Sequence, residues 1–148
     1  MVPSILSDSR IAYEVLVHPP AFTAQKRAKY LRLPGATVAK CVLLAGPAGF
    51  VLAVLPAPLH VDTEALGQAL GGPVRLADER EVAEVFRDCE WGVVAPFGTI
   101  YGLPTLLDES LAPDAWVVLE LNTHSEAVRM RCCDFEELEK PRRLRFAR

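Results

Sequence analysis

The chain has 148 residues, of which 51% are hydrophobic and 24% charged, with a formal net charge of −3 and a pI near 5.6. A chain of that length is expected to form one compact domain over residues 1–148. Its apolar content, with no low-complexity tract, excludes intrinsic disorder, because enough apolar surface can be buried to offset the entropy of ordering. Cys41, Cys89, Cys132 and Cys133 contain no C-x-x-C pair, and His18, His60 and His124 lack metal-ligand spacing, so neither a disulfide framework, a metal site nor a cofactor is expected.

Ser4, Ser7, Asp8 and Ser9 interrupt the N-terminus where a secretory signal would be apolar. After Tyr13, Val15 and Val17, the His18-Pro19-Pro20 break ends any regular element. Thr23 is placed to cap a helix running to about Leu33, stopped by Pro34-Gly35. Lys26, Arg27, Lys29 and Arg32 give that helix a basic face, ordinarily a solvated one. Thr37 to Ala45 and Phe50 to Leu55 read as strands of a hairpin turning at Gly46-Pro47-Ala48-Gly49. Cys41 to Leu59 forms 19 residues without a charged or hydrogen-bonding polar side chain, long enough to span a bilayer. The central turn, with Pro56 and Pro58, argues for two strands instead, and a soluble cytoplasmic protein is expected.

Asp62 is placed to cap a helix through Leu70, Gly71-Gly72 ends it, and Pro73 to Leu76 suits a short strand. Asp78 and Glu81 form a capping-box pattern for a helix to about Phe86. Gly92 to Leu107 reads as an extended loop leading to a strand near Leu103 to Leu107. Trp116 to Leu121 and Ala127 to Cys132 read as strands joined by the polar Asn122 to Glu126 connection. Asp134 and Glu137 repeat the capping-box spacing before a last helix ended by Pro141. This order predicts an α+β fold with a mixed, largely antiparallel sheet flanked by helices.

Three features exceed what folding requires. Lys40 is a lone cation in an apolar strand, sharing a face with Val38, Val42 and Leu44; it either snorkels to water or projects into a cleft. The Gly92-Val93-Val94-Ala95-Pro96-Phe97-Gly98 loop either turns the chain or brings backbone groups close to a ligand. His124, among Asn122, Thr123 and Ser125, is either a solvated loop residue or part of a site.

Taken together, Val38-Ala39-Lys40, Gly92 to Pro96 with Phe97-Gly98, and the Asn122-Thr123-His124 turn resemble the YbaK and prolyl-tRNA-synthetase-associated editing domain family. The resemblance runs from His18-Pro19 through Asp108, which follows Leu103-Pro104-Thr105-Leu106-Leu107, to Asp134. It implies a free-standing domain that hydrolyses a wrongly attached amino acid from a tRNA 3′ end in trans. A second sieve of this kind is needed because a missing methylene changes binding by only about 1–3 kcal/mol. The aminoacyl ester is already activated, so a positioned water suffices and no Ser/His/Asp triad is needed.

On that resemblance Lys40, Gly92, Pro96 and His124 are the expected catalytic positions. Lys40 would meet the terminal phosphate or ester, the Gly92 to Pro96 backbone the terminal adenosine and the water, and His124 the acyl pocket. The vicinal ribose hydroxyl would help to activate the water. Cys41, Val94, Ala95, Phe97, Gly98, Asn122, Thr123 and His18 are expected to bind substrate. Cys41 stands where alanine-specific members often carry Asn, and Arg87-Asp88-Cys89 lacks a Gly often found there. Neither departure removes the core motif, though both bear on acyl specificity; alanine on proline tRNA stays the first choice of substrate, with serine, threonine or cysteine behind it.

The segment Lys26 to Arg32 carries four positive charges and the tail from Lys140 five; removing these nine from the net charge of −3 leaves −12 elsewhere. Lys26, Arg27, Lys29, Arg142, Arg143 and Arg145 are the expected tRNA contacts. Pairing of the tail arginines with Glu136, Glu137 and Glu139 is the other reading. The expected partner is tRNA, with transient contact to a synthetase and none to a membrane; oligomeric state is left open. A non-catalytic module binding a tRNA end or a nucleotide on the same fold is the alternative function.

Overall fold

Alternating apolar positions pair into two sheets rather than one. In the computed structural model, which describes residues 2–148, a single turn α1 (Ser4–Ser7) precedes β1 (Tyr13–Val17), α2 (Ala24–Leu31), β2 (Ala39–Gly46) and β3 (Gly49–Pro56). Next come α3 (Thr63–Leu70), β4 (Arg75–Leu76), α4 (Glu79–Val85) and β5 (Thr105–Asp108). The chain closes with β6 (Trp116–Glu120), β7 (Glu126–Arg131), α5 (Cys132–Glu139) and β8 (Arg142–Leu144). The antiparallel sheet has the order β1-β7-β6, and the mixed sheet β4-β2-β3-β5-β8, with β5 parallel to β3 and β8. A parallel bridge between Val38 and Val118 joins the two.

The long apolar stretch is the β2–β3 hairpin, and both of its faces are covered. Leu43, Leu52 and Val54 pack with Phe97, Leu119, Val128 and Phe135 on one side, while Leu44, Ala53 and Leu55 pack with Leu66, Leu106 and Phe146 on the other. A strand buried on both faces reads as a continuous apolar run. No helix among the described residues is long and apolar enough to cross a membrane.

The caps of α2, α3 and α4 lie where the sequence places them: Thr23, Asp62 and Asp78 each accept a backbone N–H, and Asp78 and Glu81 complete a capping box. Most strand ends shift by one or two residues, and three other differences have a physical cause. Helix α2 stops at Leu31, two residues early, because Arg32 adopts a left-handed conformation at φ 55° and returns its N–H to Ala28 and Lys29. Helix α5 starts at Cys132 without a side-chain cap; the amides of Cys132 and Cys133 instead donate to the carbonyls of Ala115 and Pro113, each at 2.8 Å. The basic tail is a strand, β8, pairing with β5.

Candidate active site

A cavity of about 270 Å³ opens where α2, the start of β2, the end of β6 and the Gly92 segment converge. Phe22, Thr23, Ala24, Gln25 and Arg27 line it from α2 and its approach, Ala39, Lys40 and Cys41 from β2, and Gly92, Val94 and Glu120 from the opposite side. Register places Lys40 opposite Leu55 at the open end of the hairpin, four residues before the buried Leu44. Its ammonium has no ion-pair partner among the described residues. Partial burial holds its pKa below the ordinary lysine value.

Cys41, beside Lys40 in the cavity lining, also packs against the side of the hairpin that holds Leu43, Leu52 and Val54. Burial pushes its thiol up to about 12, against the pull of the nearby Arg27 charge. At neutral pH it is therefore a neutral thiol and a poor nucleophile. Arg27 was expected on the basic surface, yet it is only 2% exposed. Its guanidinium meets Glu120 Oε2 in the cavity wall, and burial lowers its pKa. The sequence contains the signal for this inward turn: Arg27 precedes Ala28 and stands three and four residues from Ala24 and Leu31, all packed in one cluster.

His124 is 5% exposed and lies behind this wall. Its Nε2 is 2.7 Å from the Trp91 carbonyl, its ring centroid is 4.6 Å from that of Phe22, and its Nδ1 is 4.0 Å from Glu120 Oε2. Since a carbonyl only accepts, Nε2 carries the proton and is committed to Trp91. Gly92 follows at φ +86°, with space for a Cβ 3.7 Å from the His124 ring, so backbone conformation rather than crowding selects glycine. Phe22, in the cavity lining with Gly92, and Trp91, next to Gly92 in the chain, stay 75% and 64% exposed.

The other expected positions lie outside this cavity. Ala95, Pro96, Phe97 and Gly98 are buried in the interior, with Phe97 against Phe135 and Gly98 against Thr105 and Glu139. Asn122 and Thr123 line a separate cavity of about 470 Å³ with Asp88, Glu90 and Tyr101. His18 is buried, with Nδ1 at 2.8 Å from the Pro19 carbonyl and its amide bonded to Ser125.

Lys26 and Lys29 are exposed on the outer side of α2, and Arg142 and Arg145 are exposed in the tail. Arg143 is pinned instead: Nε and Nη2 donate to Glu136 at 2.6 and 3.0 Å, and Nη2 to the Leu111 carbonyl at 2.7 Å. Phe22, Trp91 and Glu120 were not singled out from the sequence. Only their neighbours in the chain, Thr23, Gly92 and the Asn122 turn, carried a local signal. Among the described residues, no group of three or more His, Cys, Asp or Glu side chains is placed to hold a metal ion.

Residues 18–138 match the family model of the aminoacyl-tRNA editing domain. The chain belongs to that family. Membership makes aminoacyl-tRNA editing its functional class and deacylation its broad chemistry, with tRNA as the molecule acted on. The fold agrees with solved structures of editing-domain shape. One, described as a candidate trans-editing enzyme for prolyl-tRNA synthetase, is 24% identical with a TM-score of 0.79 over 92% of this chain and 87% of that one. A hypothetical protein is 19% identical with a TM-score of 0.83, covering 93% of this chain and 92% of that one. A candidate signal transduction protein from Marinobacter aquaeolei VT8 is 21% identical with a TM-score of 0.74, covering 99% of this editing domain and 31% of the other chain. No curated protein matches the chain.

Proposed function

We propose that this editing domain acts in trans as an aminoacyl-tRNA deacylase for a small amino acid, alanine on proline tRNA first, and that the reaction needs no metal. The observation that supports this reading best is a half-buried Lys40, without an ion-pair partner among the described residues, at a cavity of about 270 Å³ whose walls include the small side chains of Ala24, Ala39 and Cys41. That volume lies just below the range of about 300–1,000 Å³ usual for ligand pockets. It fits a second sieve that admits small acyl groups.

In this reading Lys40 binds the anionic end of the tRNA and stabilises charge developing at the ester, as preorganised cations do. The nucleophile is water. Cys41 is held neutral by burial, and the Nε2 of His124 is already bonded to Trp91, so neither is free to attack or to take its proton through that nitrogen. His124 acts by position, setting Gly92 and Phe22 around the acyl group. The vicinal ribose hydroxyl assists the water, as the family resemblance implies. Exposed Lys26 and Lys29 approach the tRNA backbone, with cytoplasmic encounters and transient synthetase contact.

Incubation with a panel of misacylated tRNAs tests the proposal. Release of alanine in preference to proline and other large residues is the expected result; release of none above buffer overturns it.

A further inference from the structure

An aminoacyl ester presents three things to a pocket: an anionic nucleotide end, a side chain and an α-ammonium group. Lys40 and the small wall residues suit the first two. The third needs an acceptor, preferably a charged one. Glu120 is the sole carboxylate lining the cavity among the described residues. Its Oε2 meets Arg27, while its Oε1 takes no hydrogen bond from any described residue. The carboxylate does not stand free in solvent, since Arg27 is 2% exposed and Glu120 is itself largely covered. Without Glu120, the cavity would carry two cations, Lys40 and Arg27, and would repel an ammonium.

We infer that Glu120 anchors the α-ammonium of the amino acid being removed. Arg27 is its positioning residue. The guanidinium fixes the carboxylate through Oε2 and leaves Oε1 for the substrate, and the Nδ1 side of His124, 4.0 Å from Oε2, bounds the same corner. The substrate class is thereby narrowed to esters with a free, protonated α-amino group. Esters that are N-acylated, or that carry a hydroxyl in its place, are disfavoured. This assignment rests on the proposed deacylase function.

The test compares alanyl-tRNA with its L-lactyl counterpart, in which a hydroxyl replaces the ammonium. After division by the ratio of the two esters' spontaneous hydrolysis rates, since the ammonium itself activates its ester, the wild type is expected to prefer the alanyl ester by at least about tenfold in kcat/KM, the loss typical of removing one charge-assisted contact. Glu120→Gln should bring that corrected ratio toward one. Because the single variant leaves Arg27 buried and unpaired, the double variant R27Q/E120Q, which removes both charges, is measured beside it with the same expectation. A wild type whose preference does not exceed the spontaneous ratio overturns the assignment without any variant. So does an undiminished preference in a folded variant. Cleavage of neither ester would overturn the deacylase function itself, and this assignment with it.

Discussion

The Nε2 of His124 donates to the carbonyl oxygen of Trp91 across 2.7 Å, tying the turn between β6 and β7 to the residue before Gly92. The same ring supports Phe22 at 4.6 Å between centroids. One buried histidine thus sets two sides of the cavity. His124→Ala removes the hydrogen bond and the packing together, an expected loss of about 2–4 kcal/mol in urea unfolding. Discrimination between alanyl and larger acyl groups should weaken more than tRNA affinity does. Competition between two acyl-tRNAs reads this directly, and unchanged discrimination in the folded variant would remove His124 from the pocket.

Asp108 fastens the C-terminal segment. Its Oδ1 accepts from the amides of Phe146 and Ala147 at 3.0 and 2.9 Å, and its Oδ2 from the Ser110 amide at 3.1 Å and the Ser110 hydroxyl. Burial opposes the charge, but these hydrogen bonds outweigh it and hold the carboxyl below the usual aspartate range. A depressed folded-state pKa means stability that is present above the unfolded value of about 3.9 and lost as pH falls through the folded one. Asp108→Asn should cost about 2–3 kcal/mol at pH 7 and flatten the acid limb of stability against pH. Equal acid limbs in the two proteins would refute this.

The positive charges of α2 and the tail separate by environment. Lys26 and Lys29 are exposed, whereas Arg143 is held by Glu136 and a backbone carbonyl. The double variant K26A/K29A should therefore reduce the slope of log affinity against log salt by about 0.7–0.9 per lost phosphate contact. Arg143→Ala should lower thermal stability and leave that slope alone. Filter binding across a salt series distinguishes the two, and an altered slope for Arg143→Ala would place that residue on the tRNA.

Much of this was legible in the residues. Thr23, Asp62 and Asp78 announced helix starts because a short polar side chain before an apolar-periodic segment has few other uses. The Gly46-Pro47-Ala48-Gly49 turn resolved a membrane-length run into a hairpin. Long-range pairings were less visible. Nothing near Cys132 says that Ala115 and Pro113 will supply its cap, and nothing near Arg142 says that β5 leaves an edge for it. Gly98 looked like a ligand-approach glycine, but a Cβ there would fall 2.5 Å from Thr105 Oγ1 and 3.1 Å from Glu139 Oε2. Its smallness serves packing against a buried carboxylate 41 residues away in the chain. Lys40 and Gly92 were visible because a cation or a flexible residue breaks a local pattern. Glu120 was not, because a glutamate ending a strand breaks none.

Lys40 carries a pH signature. Partial burial lowers its pKa, so the ammonium is lost at lower pH than in an ordinary lysine. Deacylation that needs the protonated form should then decline on the alkaline side before free lysine would titrate, after correction for spontaneous ester hydrolysis. Lys40→Arg, whose guanidinium stays charged, should move that decline upward even if its maximal rate is lower. An identical alkaline limb in both proteins would assign the decline to another group.

The most direct measurement is single-turnover release of alanine from alanyl-tRNA specific for proline, with wild type and Lys40→Ala at matched, folded concentrations. Wild-type release well above buffer, falling by at least about a hundredfold on loss of the cation that stabilises the developing charge, is the predicted result. Equal release by the two proteins would contradict the account.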